Sequence, residues 1–183
     1  MLTLTYPQLL ILITALWLFV HIYCGFKSTP DFTRELQLLM VYICIIVIVR
    51  IVDFPWHLEN GHIGALHFDT SKIFPLWVNL VPVVHLFETY DGWKLNLFGN
   101  IAMFVPVGIV WPVCFEKIDS IRRTVLAGAL FSFCIEVSQL LFYERCSDID
   151  DIILNTAGVA IGAAVYFAVH QAIKKLHRPN RQS

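Results

Sequence analysis

The chain has 183 residues, 57% hydrophobic and 15% charged, whereas a soluble domain is nearer half apolar and a quarter charged. That excess of apolar residues belongs in lipid. A formal net charge of -1 supplies no overall positive field of the kind that attracts polyanions, so no nucleic-acid partner is expected.

A bilayer core about 30 Å thick takes about 20 mostly apolar residues per helix. Five stretches approach that length: Tyr6 to Cys24, Leu36 to Phe54, Leu97 to Phe115, Thr124 to Tyr143 and Ile152 to His170. No basic residue precedes the first and no small-residue cleavage site follows it, so it reads as a retained helix rather than a signal peptide. The expected fold is all-α, a polytopic transmembrane helical bundle of about five spans. Two lie in residues 1–54 and three in 97–172, joined by an outer segment over 55–96 and followed by a basic cytoplasmic tail over 173–183. Within the outer segment, Ile73 to Phe87 is apolar but short and is interrupted by Pro75 and Pro82. It is expected to be re-entrant or interfacial rather than a sixth span.

Short cytoplasmic loops carry the excess of Lys and Arg. With five spans, Lys27, Arg34, Lys117, Arg122, Arg123, Lys174, Lys175, Arg178 and Arg181 fall on one side, and Lys72, Lys94 and Arg145 on the other. The N-terminus is therefore expected outside and the C-terminus in the cytoplasm.

Polar and ionisable groups are expensive inside a membrane, so their placement is informative. Arg50 and Asp53 stand at the outer end of the second helix, and Asn96 and Asn100 open the third at i, i+4 spacing. Glu136 and Gln139 lie in the outer half of the fourth, and Asp148, Asp150, Asp151 and Asn155 lead into the fifth from the same side. The inner halves are nearly featureless, with His21 the main exception. In a helix running to Tyr143, Glu136 lies about 10 Å below the outer end, so it must be protonated, paired or exposed to a wet cavity. Helix capping and interhelical hydrogen bonding account for part of this pattern. The convergence also predicts an outward polar cavity, with Arg50, Asn96, Asn100, Glu136, Gln139, Arg145, Asp148, Asp151 and Asn155 as the candidate ligand-binding residues.

Pro106 frees the carbonyl of Ala102, and Gly99 and Gly108 make the third helix easy to bend or to approach closely; a broken helix beside polar groups often lines a cavity. Gly158 and Gly162 form a GxxxG spacing suited to close helix packing. Other chemistry is poorly supported. The five cysteines show no CxxC or paired Cys/His spacing, so neither a disulfide framework nor a zinc site is expected. His57, His62 and His67 recur at the wrong spacing for helical metal ligation and read as loop residues. The acidic run Asp148-Ile149-Asp150-Asp151 suits the positive end of a helix better than a metal site. No cofactor, catalytic nucleophile motif or phosphate-cradling loop is expected.

The segments Asn79-Leu80-Val81-Pro82 and Asn96-Leu97-Phe98-Gly99-Asn100-Ile101-Ala102-Met103-Phe104-Val105-Pro106-Val107-Gly108 resemble the opening of a VanZ-like domain. Glu136-Val137-Ser138-Gln139, Arg145, Asp148-Ile149-Asp150-Asp151, Asn155-Thr156-Ala157-Gly158 and Gly162 continue the resemblance in the family's order. It spans about half of the chain; the first two helices are generic. The resemblance implies a small protein of the bacterial cell membrane, tied to reduced susceptibility to teicoplanin-type lipoglycopeptides. A non-enzymatic action is expected, in which the outward polar cavity engages a lipid-linked peptidoglycan precursor or the antibiotic itself. Two alternatives stand beside it: a membrane-embedded enzyme acting on a lipid headgroup or wall precursor, with Glu136 as general acid/base, and a proton-coupled transporter using Glu136.

Overall fold

The computed structural model describes residues 2–25, 31–54, 58–59, 61–68, 78–82, 93–142 and 146–177. Among them the long elements are all helical: α1 (Tyr6–Gly25), α2 (Phe32–Val52), α3 (Trp93–Cys114), α4 (Ile121–Gln139) and α5 (Ile149–Leu176). The helices α1, α2, α3 and α5 are long and apolar enough to cross a membrane, and the chain is a multi-pass membrane protein. Helix α4 is less apolar, because Arg122, Arg123 and Glu136 share its 19 residues.

Local chemistry sets several helix ends. The Asp31 carboxylate accepts from the Thr33 N–H at 3.2 Å, so α2 starts four residues before its apolar run. Glu35 in its first turn and Arg50 in its last complement the helix dipole. Helix α5 extends past His170 to Leu176, with Lys174 and Lys175 in its final turn. Helix α3 continues through both Pro106 and Pro112, and of the two expectations for it, bending or close approach, close approach is found at Gly108. A lost hydrogen bond at Ala102 is tolerated where the neighbouring turns hold and a second helix packs closely alongside.

That second helix is α5, and it runs parallel to α3. A Cβ on Gly158 would collide with the carbonyl oxygen of Ile101, and one on Gly162 with that of Val105. From the other side, a Cβ on Gly108 would collide with the Val159 carbonyl. The Gly158/Gly162 notch thus receives the α3 backbone just before Pro106. Helices associating in lipid gain little from the hydrophobic effect, so this close van der Waals fit is what holds them. Helix α4 runs antiparallel to α5, with Gly128 lying against the Val159 methyls. Val159 joins Ile48, Phe104, Val107 and Ile135 in the core. On the far side, α2 packs on α3, and α1 attaches to α2 through Thr14 Oγ1 to Tyr42 Oη at 2.7 Å and His21 Nε2 to Glu35 Oε2 at 3.0 Å.

Short strands gather at the end where α1, α3 and α5 begin. Strand β1 (Leu2–Leu4) pairs antiparallel with β4 (Leu66–Phe68), and Phe68 bridges to Phe142. Strands β2 (Leu58–Glu59) and β3 (His62–Ile63) form a hairpin whose turn holds Gly61 at φ 80°, a left-handed conformation that glycine adopts without a Cβ clash. Strand β5 (Val78–Asn79) pairs in parallel with β6 (Ser147–Asp148). His62 and His67 therefore lie in strands, not loops. Of the expected re-entrant stretch, residues 73–77 and 83–87 lie outside the described residues; 78–82 contribute β5 and a turn.

Candidate functional site

One face of α4 grades from apolar to polar toward the strand-covered end. Gly128, Ser132 and Glu136 recur at four-residue spacing and so stack on one side of the helix. Opposite them α5 presents Val159, Asn155 and its own N-terminus. Gly128 takes the Val159 side chain; Ser132 Oγ accepts from Asn155 Nδ2 at 2.9 Å; Glu136 Oε2 accepts from the backbone N–H of Asp148 at 3.0 Å. Glu136 and Asn155 are each 1% exposed, and Ser132 is fully buried.

The burial of Glu136 does not come from depth along its helix. Helix α4 ends at Gln139 rather than Tyr143, so Glu136 stands only about 4.5 Å from the helix end, at 1.5 Å per residue. Strand β6 and the first turn of α5 close over it. Gln139, one turn further on, is also buried, and its backbone carbonyl accepts from the Phe142 N–H at 3.0 Å.

Asp148 is the hub of the cluster. Its carboxylate caps α5 by accepting from the Asp150 N–H at 2.9 Å, and both of its oxygens accept from Asn79 Nδ2 at 3.1 Å. Asn79 is placed for this by the β5–β6 pairing, in which Asn79 and Asp148 are register partners. Helix α3 joins through Asn100 Nδ2, which donates to Asp151 Oδ1 at 2.5 Å and to Asn96 Oδ1 at 3.2 Å. Asn96 itself is exposed.

The structure thus brings together Asn96, Asn100, Glu136, Asp148, Asp151 and Asn155, with Gln139 buried at the adjoining end of α4. Arg50 sits in the last turn of α2, its guanidinium 5.8 Å from the centre of the Tyr6 ring. Arg145 lies outside the described residues. Asn79 and Ser132 are partners that the candidate set lacks. Ser132 is signalled in sequence by standing one helical turn before Glu136; Asn79 has no periodic signal and is marked only by the resemblance. Among the described residues, no group of three or more His, Cys, Asp or Glu side chains is placed to hold a metal ion.

The opposite end of the bundle is less featureless than expected. Arg34 and Gln37 of α2 donate to the last carbonyls of α3, at Cys114 O and Val113 O, at 2.5 and 3.0 Å. Beside them lies a cavity of about 660 Å³ lined by Asp31, Arg34, Glu116 and Lys117 among others, and a second of about 360 Å³ lies between the α3–α4 turn and α5.

A family model described as VanZ/LLP1 matches residues 38–170, a stretch that includes all the clustered residues and leaves out α1. Protein VanZ of Enterococcus faecium is 30% identical over 103 residues, which are 55% of this chain and 60% of that protein. The chain thus spans about 60% of the length of the curated relative it matches. No solved structure matches.

Proposed function

The chain belongs to the VanZ/LLP1 family, and on that premise we propose that it lowers susceptibility to teicoplanin-type lipoglycopeptides by a non-enzymatic effect at the outer membrane face. The polar cluster around Glu136 and Asp148 engages the ligand, either a lipid-linked peptidoglycan precursor or the lipidated antibiotic. The observation that carries this reading is the convergence of side chains from three separate segments, Asn79 of β5, Asn100 of α3 and Glu136 of α4, on the N-terminal turn of α5 at Asp148 and Asp151. Glu136 and Asn155 are buried polar groups of this cluster, and buried polar groups in a membrane bundle mark candidate sites.

The outward placement is supported by charge. Lys117, Arg122, Arg123, Lys174 and Lys175 all stand at the end opposite the cluster, as cytoplasmic basic residues do. On that support the proposed orientation has the N-terminus outside and the C-terminus in the cytoplasm.

The test is teicoplanin susceptibility of a sensitive Gram-positive host expressing the wild-type chain or Glu136→Gln, with equal amounts inserted in the membrane. Protection by the wild type and its loss in the variant are expected. Equal protection by both would remove the cluster from the function, and protection by neither would remove the antibiotic.

A further inference from the structure

Among the described residues, two buried acceptors of the outer cluster have no hydrogen-bond partner, although the Ser147 hydroxyl and the Asp148 N–H both act on the Glu136 carboxyl. The two Nδ2 hydrogens of Asn100 go to Asn96 Oδ1 and Asp151 Oδ1, and those of Asn79 go to the two Asp148 oxygens. The two buried acceptors are Glu136 Oε1 and Asn155 Oδ1. Both side chains are 1% exposed, so bulk water does not compensate them. An amide can be turned to exchange its oxygen and nitrogen, whereas an ionised carboxylate offers acceptors either way; a bound cation is what would keep Glu136 in that ionised form. Among the described residues, the charged groups acting on it, Asp151 and Asp148, are both negative.

From these orphaned acceptors we infer that the cluster binds the primary ammonium group of a ligand, with Glu136 Oε1 as counter-ion and Asn155 Oδ1 as a second acceptor. This deepens, and rests on, the reading of the cluster as a ligand site. An ammonium is compact and carries three donors, whereas a guanidinium is a wider planar fork. A metal ion would need a set of ligands that the described residues do not assemble. Among the described residues, strands β5 and β6 beside Glu136 meet through two residue pairs, Val78 with Ser147 and Asn79 with Asp148.

An ammonium reaches this site either on a lipid headgroup or as a free amine. The full chain, purified into phosphatidylglycerol nanodiscs, is titrated with dihexanoyl phosphatidylethanolamine, dihexanoyl phosphatidylcholine or methylammonium chloride, and the thermal midpoint is followed. A saturable rise with the ethanolamine lipid and none with the choline lipid is expected. Glu136→Gln should weaken the response by about tenfold or more, as loss of a charge-assisted contact does. A response to methylammonium as strong as that to the lipid assigns the free amine as the source; a response to the ethanolamine lipid alone assigns the headgroup. Equal responses to the two lipids, no saturable response, or an unchanged response in Glu136→Gln would overturn the inference. Should Glu136→Gln not fold, Asn155→Ala is the substitute, and undiminished binding in it is equally fatal. If ammonium binding fails while Glu136→Gln still abolishes protection from the antibiotic, only the ligand class is wrong. If binding holds while protection ignores Glu136→Gln, only the functional reading is wrong.

Discussion

The backbone N–H of Asp148 donates to Glu136 Oε2 at 3.0 Å, so a buried side chain near the end of α4 holds the capping residue of α5. The same Asp148 gives its carboxylate to Asn79 and to the Asp150 N–H. One residue therefore ties together α4, α5 and strand β5.

Glu136→Ala removes the acceptor and leaves the Asp148 N–H unsatisfied, at a cost of about 1–3 kcal/mol. Glu136→Gln keeps an acceptor in nearly the same volume, and a loss below about 1 kcal/mol is expected. Thermal unfolding in detergent separates them. Equal destabilisation by both would mean that the negative charge, not the acceptor, is what the fold uses.

The glycines of α3 and α5 differ sharply in what surrounds them. Gly158→Ala and Gly162→Ala press a methyl into the α3 backbone and should each cost about 1–3 kcal/mol, as overpacking does. Gly99 has no atom within 4 Å of a built Cβ, so Gly99→Ala should be neutral or stabilise by about 0.5–1 kcal/mol through helix propensity. Unfolding midpoints that rank the three alike would contradict the close α3–α5 packing.

Asn79 and Asp148 are 69 residues apart in sequence and joined by two hydrogen bonds. A double-mutant cycle with Asn79→Ala and Asp148→Ala should return a coupling of about 1–2 kcal/mol. Additive losses would show that β5 does not dock on β6 through this pair.

Cys146 lies outside the spans beside Asp148, and partial burial, followed by the Asp148 charge, pushes its thiol above the ordinary value. Only the thiolate reacts, and a raised thiol holds less of it at neutral pH. A membrane-impermeant maleimide is therefore expected to label Cys146 from outside, slowly near neutrality and faster in mildly alkaline buffer, with Asp148→Asn accelerating the neutral reaction. Labelling that requires permeabilised cells would invert the orientation.

How much of this could be read in the sequence varied by level. The apolar runs located all five helices, because insertion into lipid sums over a single segment and needs no partner. Helix ends were less legible: Asp31 and the lysines at 174 and 175 lengthen α2 and α5 beyond their apolar stretches, and α4 stops four residues short of the predicted Tyr143. The two- and three-residue strands over the cluster are too short to carry a pattern.

The sequence by itself determined that the chain is a helical membrane bundle whose polar groups gather at one end, since hydropathy and helix count suffice for that. Only the tertiary structure decided which groups meet. Asn100 finds Asp151 across 51 residues and Ser132 finds Asn155 across 23. Gly158 and Gly162 turn toward α3, and α3 stays one helix through Pro106 with α5 lying against the turn before it. Those outcomes depend on the rotation and depth of each helix relative to its neighbours, which no single segment encodes. The burial of Glu136 is the clearest case, since it is imposed by β6 and the start of α5 rather than by its own position in α4.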